Sequence, residues 1–233
     1  MAGWTFVQKA TGTFDTKTVA LTGVTAGNLI LVFVKFEDGP NACTMSDGTT
    51  SFTMGTLYSG ASGTNAQSGW LLSSVASGSV TYTVTQSGAL FFQVHVMEYS
   101  YVGTPSFDQQ NGTRDIIGST TVASGNITTT GTDELVFGTF SEYTAATHSA
   151  EQINGVTFDQ ITPGAGTTGS ALWSRKVAST FTGQTTCTLS AADPWASSIT
   201  AFKLAAAGGA TQAQIWPSIQ QGILNPMIGR RYV

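Results

Sequence analysis

The stretch NLILVFVKF at residues 28–36 decides the fold class of this chain. It has the length of a strand and almost no polar alternation, which indicates a β-strand that is covered on both faces. The stretch SVTYTVT at residues 79–85 alternates strictly and places Val80, Tyr82 and Val84 on one face. Both patterns are typical of strands in a layered β protein.

Turn chemistry separates these strands. Gly and Asn accept the positive φ that tight turns require, and they occur between the apolar runs at regular intervals. No window before residue 207 has the pattern of an amphipathic helix. The turn pairs are Asp38-Gly39, Asp47-Gly48, Asn111-Gly112, Asn154-Gly155 and Pro163-Gly164. The sequence therefore predicts an all-β sandwich or barrel.

An internal repeat refines this prediction. Four landmarks of the first half recur in order in the second half, at offsets of 103 to 106 positions. The matched residues are Leu29 with Leu135, Phe52 with Phe158, Trp70 with Trp173, and Tyr99 with Phe202. The shared order predicts two similar units, and equivalent core positions for the two tryptophans.

The repeat predicts a jelly-roll-like antiparallel β-sandwich with internal pseudo-two-fold symmetry. Each half is expected to supply four or five strands, too few for a core of its own, so we predict one shared sandwich. Its predicted bounds are 1–207, with half-repeats at about 18–101 and 131–205. Residues 208–233 are predicted to form a small-residue linker and an extended C-terminal arm.

The composition excludes several classes of protein. Charged residues make up only 9% of the 233 residues, and 9 basic residues stand against 13 acidic ones, which leaves no electrostatic footprint for nucleic acid. Apolar runs are far shorter than the roughly 20 residues of a membrane span. Residues 1–6 lack the features of a signal peptide, which predicts synthesis in the cytosol. Cys43 and Cys187 are predicted to be free thiols, although one disulfide bond remains open.

Core and turn motifs of the chain resemble those of a β-sandwich module that occurs in bacterial surface proteins and in structural proteins of tailed bacteriophages. The resemblance covers about residues 15–206 and implies a fold and an association with phage particles, but no catalytic residue. Its motifs are VTAGNLILV at 24–32, SDG at 46–48, Trp70, VASGS at 75–79, VHVMEY at 94–99, GTDELVFG at 131–138 and ITAFK at 199–203.

Enzymatic chemistry has little support in the sequence. There is no nucleophile elbow, and we expect His95 to be a structural or surface residue and His148 to be exposed. A glycosidase needs two carboxyl groups about 5 to 10 Å apart. Candidates by residue type alone are Glu98, Glu134, Glu142 and Asp159. We predict no enzyme and no cofactor.

Acidic residues near one turn are the remaining metal candidates. Glu37, Asp38 and Asp47 carry oxygens that suit calcium, but the Asp-rich loop of a calcium site is missing. A solvated acidic turn is the preferred interpretation, and we predict no metal.

Aromatic residues allow a binding role. Exposed aromatic rings stack on sugars, and Trp195 and Tyr143 are the candidates that we expect to be exposed. The alternative is that they cover the end of a sheet.

The C-terminal arm departs from a plain domain. It is apolar and free of acidic residues, and Pro217 and Pro226 prevent a long helix. It either folds back on the sandwich or docks into a partner. Docking into a partner is the preferred interpretation, because Trp and Arg are enriched in interface hot spots. The predicted partner-binding residues are Ile215, Trp216, Ile219, Ile223, Leu224, Met227, Arg230, Arg231 and Tyr232.

These observations favour a non-enzymatic structural protein of a bacteriophage virion, made in the host cytoplasm. It is a capsid decoration or a fibre or tail accessory protein, and its arm binds further copies of this chain or other virion proteins. The alternative is a carbohydrate-binding module for host adhesion, whose partner is a host surface glycan. Both hypotheses predict no nucleic-acid binding and no membrane insertion.

Overall fold

The protein is seen in a computed structural model that describes residues 3–38, 41–59, 64–144, 146–163 and 169–205. These residues form seventeen strands and no helix, in antiparallel sheets with sandwich-like packing, which confirms the predicted all-β fold. None of the described residues belongs to a helix long and apolar enough to cross a membrane.

The first half contains eight strands in two sheets. The large sheet has the order β1-β8-β3-β6-β5, and the small sheet has the order β2-β7-β4. Strands β1 to β4 alternate between the two sheets, as do β6 to β8, which resembles the strand order of a jelly roll, whereas β5 and β6 are neighbours in the large sheet. The strands are β1 (Trp4–Thr11), β2 (Thr18–Val24), β3 (Leu29–Glu37), β4 (Thr44–Ser46), β5 (Thr53–Ser59), β6 (Asn65–Leu71), β7 (Gly78–Thr85) and β8 (Leu90–Tyr101).

The second half repeats this order. Its strands β9-β17-β11-β15-β14 are neighbours in the same sequence as β1-β8-β3-β6-β5. The strands are β9 (Thr104–Ala123), β10 (Ile127–Thr128), β11 (Glu134–Glu142), β12 (His148–Ile153), β13 (Val156–Thr157), β14 (Gln160–Thr162), β15 (Ser170–Val177), β16 (Thr182–Gly183) and β17 (Thr185–Ala205).

Strands β9 and β17 are long and take part in both layers of the second half, which is why most of its strands are joined in one large sheet while the first half has two separate sheets. The end of β9 pairs with the start of β17, which also pairs with β12, so this group corresponds to the small sheet β2-β7-β4. Each half therefore holds a full set of jelly-roll strands, and the expectation of four or five strands per half is wrong. The expectation overlooked β1 and β9, which begin before the predicted half-repeats.

Three apolar clusters form the core. One lies within the first half, for example at Tyr82 and Phe92, and one lies within the second, at Phe140 and Leu189. The third cluster fills the space between the two large sheets and includes Phe202. Strand β3 contributes alternate residues to its own half and to the third cluster, which explains its continuous apolar run and confirms that both its faces are covered.

The two large sheets pack against each other as if related by a two-fold axis. Strand β1 lies beside β14, where Thr11 Oγ1 and Thr162 Oγ1 are 2.7 Å apart. Correspondingly, β5 lies beside β9, where the Thr56 amide donates to Gln110 Oε1 at 3.0 Å. Reciprocal contacts of this kind characterise a two-fold interface. Between the inner strands, the hydrogen-bonded pairs are His95 with Ser170, Tyr99 with Ser174, and Ser68 with Ser198.

The two tryptophans are buried but not equivalent. Trp70 pairs with Leu31 and joins the cluster between the sheets, whereas Trp173 pairs with Gly138 and joins the cluster inside the second half. A shift of one residue sends a side chain to the opposite face of a strand. The prediction of equivalent places is therefore wrong, although the prediction of core roles is confirmed.

Candidate functional site

A cavity opens where the space between the two large sheets ends, beside the last residues of β3 and β11. Its volume is about 630 Å³, within the range of small-molecule sites. Both halves of the chain contribute to it, so neither half forms it alone. We call it the junction cavity, and its lining residues are Phe14, Lys35, Glu37, Phe91, Gln93, Tyr143, Thr144 and Gly169.

Two aromatic rings form a platform at the junction cavity. Phe14 and Phe91 are stacked, with ring centroids 6.2 Å apart and planes 28° apart, and their relative exposures are 55% and 42%. Tyr143 from the second half is exposed to 40% at the same cavity. Large apolar rings that remain in water next to a cavity are typical of a binding surface.

The backbone holds this platform in a strained conformation. Asp15 has a φ of 62° and Phe91 a φ of 53°, which is the left-handed region that non-glycine residues rarely adopt. Asp15 Oδ1 accepts a hydrogen bond from the Phe91 amide at 3.0 Å, and the Asp15 amide donates to the Phe92 carbonyl at 2.8 Å. Such strain is found at ligand-binding sites, where it fixes side chains in advance.

A charged pair lies at the inner end of the cavity. Lys35 Nζ is 3.0 Å from Glu37 Oε1, and the side chains are exposed to only 3% and 10%. They are two residues apart on β3, so they lie on the same face. The predicted solvated acidic turn is therefore wrong for Glu37, because Lys35 pairs with it in a buried position.

Gln93 connects the cavity to a buried polar row. Ser170 Oγ donates to Gln93 Oε1 at 2.7 Å and also lies 2.8 Å from His95 Nε2. Since the single hydroxyl proton of Ser170 goes to Gln93, His95 donates from Nε2 and accepts at Nδ1 from Thr11 Oγ1, at 3.0 Å.

This direction of donation is the reverse of an activated serine, which must donate to its histidine base. Burial, followed by the coulombic effect of His148, lowers the pKa of His95 to about 3. His95 is therefore a neutral structural residue.

Two carboxyl groups stand behind the wall that the second half provides. Glu142 accepts hydrogen bonds from the amides of Gly169 at 2.5 Å and Ala146 at 2.8 Å. Asp193 Oδ2 accepts from the amides of Tyr143 at 3.0 Å and Thr144 at 2.8 Å. Burial, followed by a hydrogen bond to Asp193, raises the pKa of Glu142 to about 7. The pair thus holds three lining residues of the junction cavity through their backbone.

The two predicted sugar-binding aromatics lie in different environments. Tyr143 lines the junction cavity, as its predicted exposure requires. Trp195 is buried, exposed to only 6%, and its indole Nε1 donates to Ser119 Oγ at 3.1 Å. The expected exposure of Trp195 is wrong because β17 continues through it, paired with Asp115 of β9 and Glu142 of β11.

The other candidate residues have structural surroundings. His148 is buried, against expectation, and its Nδ1 contacts Glu151. Asp47 Oδ1 accepts the amides of Thr49 and Thr50 and so stabilises a turn. In the described ranges no three His, Cys, Asp or Glu residues cluster in a way that would hold a metal ion.

Neither cysteine forms a disulfide bond. Cys43 and Cys187 are both free and buried, and they belong to the clusters of different halves. This finding confirms the prediction of two free thiols.

The predicted arm lies outside the described residues. Its nine partner-binding residues, from Ile215 to Tyr232, remain a prediction from the sequence.

Comparisons with protein families, curated proteins and solved structures found no match for this chain. The resemblance to a phage and surface-protein module therefore stays a prediction.

Proposed function

We propose that the protein is a non-enzymatic carbohydrate-binding module for attachment to a surface, with the junction cavity as its sugar site. The observation that carries the proposal is the stacked pair Phe14 and Phe91, held by Asp15 next to the polar groups of Lys35, Glu37 and Gln93. A sugar ring has apolar faces that stack on aromatic rings and hydroxyl groups that need donors and acceptors.

The hydrogen bonds of the acidic groups support a role in binding and not in hydrolysis. Both oxygens of Glu142 accept backbone amides, and Asp193 serves the same wall of the cavity. A glycosidase needs two carboxyl groups on either side of the scissile bond, free to exchange protons with the sugar. Glu142 and Asp193 have a structural role, so Glu37 is the acidic residue that lines the cavity. Glu37 is already paired with Lys35, which leaves no pair of free carboxyl groups among the described lining residues.

Screening of the full chain on an array of plant, bacterial and animal glycans tests the proposal. Phe91→Ala removes half of the platform, so we expect at least a tenfold loss of affinity for any glycan bound by the native protein. Trp195→Phe is the matched control, because it changes an aromatic residue away from the cavity lining and should bind like the native protein. Absence of glycan binding, or binding that survives Phe91→Ala, would contradict the proposal.

A second proposal concerns the C-terminal arm and assigns the module to a bacteriophage virion. Its support is the composition of residues 208–233, where Trp216, Arg230 and Arg231 accompany an apolar run without acidic residues. The two proposals are compatible, since a virion-attached module can also contact the host. Light scattering of the full chain and of a version ending at Ala207 tests the arm. We expect an oligomer for the full chain and a monomer for the shortened version. If both versions are monomers, self-assembly through the arm is contradicted.

A further inference from the structure

We infer that the junction cavity selects an uncharged sugar, a neutral hexose residue, over uronic acids and amino sugars. This inference rests on the proposed function and deepens it, because it names the class of sugar. It follows from the charges at the cavity and from the hydrogen-bonding capacity of the Lys35–Glu37 pair.

The charges at the cavity disfavour an anionic ligand. Lys35 is the one cation among the described lining residues, and Glu37 already neutralises it at 3.0 Å. Asp15 lies next to the platform, and the carboxyl group of Asp193 stands behind the opposite wall. A sugar carboxylate would therefore enter a site with more negative than positive charge and would compete with Glu37 for Lys35.

A cationic sugar gains little from the same groups. Its ammonium group would either take Glu37 from Lys35 or lie beside the Lys35 ammonium group, whose like charge repels it, and both charges of the existing pair are almost fully removed from water. Breaking a buried ion pair leaves an uncompensated charge, which is strongly unfavourable. The pair thus disfavours both signs of charge.

A neutral hydroxyl group matches the pair without breaking it. An ammonium group has three donors, and a carboxylate group has several acceptor sites and no donor. One ion pair therefore leaves further donors on Lys35 and further acceptors on Glu37. A hydroxyl group both accepts and donates, and two neighbouring hydroxyls of a hexose can accept from Lys35 and donate to Glu37 together. Gln93 adds an amide group at the same wall, and Phe14 and Phe91 offer the apolar surface for the ring.

Matched pairs of simple sugars test the inference. Methyl glucoside and methyl glucuronide differ only in the oxidation of C6, and the galactose pair differs in the same way. Binding to the full-length protein is measured by saturation-transfer NMR and calorimetry at pH 6 and low salt, with methyl mannoside and methyl glucosaminide included. We expect the neutral glycosides to bind at least tenfold more tightly than their uronates and than the glucosaminide.

A single substitution should reverse the preference. Glu37→Gln leaves Lys35 without its acidic partner, so the uronate is expected to gain at least tenfold in affinity relative to the native protein. Glu134→Gln is the matched control, because Glu134 begins β11 while the cavity lies at the other end of that strand. It should leave the preference unchanged. Circular dichroism establishes that both variants are folded, and the comparison of sugars on the native protein does not depend on either variant.

The outcomes separate the inference from the proposed function. Tighter binding of a uronate or of the glucosaminide by the native protein would overturn the inference and leave a carbohydrate site. A concentration of about 50 mM is well above the dissociation constant of a weak millimolar site. If none of these sugars binds at that concentration and the glycan array shows no binding, the inference and the proposed function are both overturned.

Discussion

The two halves of the chain share one strand order, and they differ most where the space between their large sheets opens into the junction cavity. In the first half, β3 ends with the pair Lys35 and Glu37, and Gln93 lies across from Lys35. The position 106 residues after Lys35 is Ser141 on β11, and Ala196 lies across from it. The repeat thus preserves the apolar frame, while the charged residues that line the cavity come from the first half alone.

The first half contributes the charged lining residues, and the second half contributes backbone segments that close the cavity. Tyr143, Thr144 and Gly169 form its part of the cavity, and their amides are held by Glu142 and Asp193. A duplicated frame therefore allows one copy to supply polar groups and the other to close the site. Four kinds of change test this division of roles, and their expected effects decrease from the first to the last.

The greatest loss of stability is expected in the cluster between the sheets. Phe137 is fully buried and stacks on Phe202 at 5.8 Å, in a cluster that also holds Phe33 of the first half. Phe137→Ala should lower the free energy of unfolding by about 3–5 kcal/mol. Because this cluster joins the halves, the native protein should unfold in urea in one transition, seen alike by circular dichroism and tryptophan fluorescence.

The control for this change is Val156→Ala, at a residue exposed to 45%. It should alter the free energy of unfolding by less than about 0.5 kcal/mol. Two separate transitions in the native protein would show that the halves unfold independently and would contradict the joining role of the cluster.

The next effect concerns pH. The pKa of Glu142 is raised from its ordinary value of 4.5 to about 7, so folding favours the protonated form. The stabilisation is complete below about pH 4.5 and is lost as the pH rises to about 7. The melting temperature should therefore fall over this window, and Glu142→Gln should flatten the fall.

Glu134 gives a matched comparison at the other end of β11, since burial raises its pKa to about 7 as well. Glu134→Gln should also reduce the fall in melting temperature. Of these two glutamates only Glu142 holds the cavity wall, so we expect sugar affinity to vary with pH between about 4.5 and 7 and only Glu142→Gln to remove this variation. Equal effects of both variants on sugar affinity would argue against that role.

A smaller effect separates the two aromatic residues that the sequence singled out. Trp195→Phe removes the hydrogen bond to Ser119 and should cost about 1 kcal/mol of stability without changing sugar affinity. Tyr143→Ala should change stability little, because the side chain is exposed to 40%, and should weaken sugar binding about tenfold. Urea unfolding and calorimetry measure the two quantities, and the opposite pattern would place the binding site at Trp195.

The last effect uses the thiols as native reporters of each half. Burial raises the pKa of Cys43 to about 12 and also raises that of Cys187. The thiolate is the reactive form, so neither should react with Ellman's reagent at about pH 8 until the protein unfolds. In increasing urea both should become reactive together, and early reaction of one thiol would show that its half opens alone.

Much of the fold could be predicted from the sequence because apolar patterns report burial. The run at residues 28–36 predicted a strand with both faces covered, and Leu29 and Leu135 indeed share the cluster between the sheets. Strand β1 was missed because its alternation is interrupted by polar residues. The register of Trp173 was missed because sequence spacing does not reveal a shift of one residue, which decides the face of the strand.

The candidate site could be predicted only in part. Tyr143 was found by residue type, but Phe14 and Phe91 were not. A signal for Phe91 was present, since it places an aromatic ring on the polar face of an alternating strand. The pairing of Glu37 with Lys35 was open to prediction from their spacing of two residues, whereas the approach of the second half depends on tertiary packing that no local pattern specifies.

An amide chemical-shift titration of the full chain with the glycan selected by the array would show whether both halves build the sugar site. We expect the largest shifts on both halves at once, at Phe91 and Gln93 in the first and at Tyr143 and Gly169 in the second. Shifts confined to one half, or centred on Trp195 and Ser119, would contradict a sugar site built at the junction.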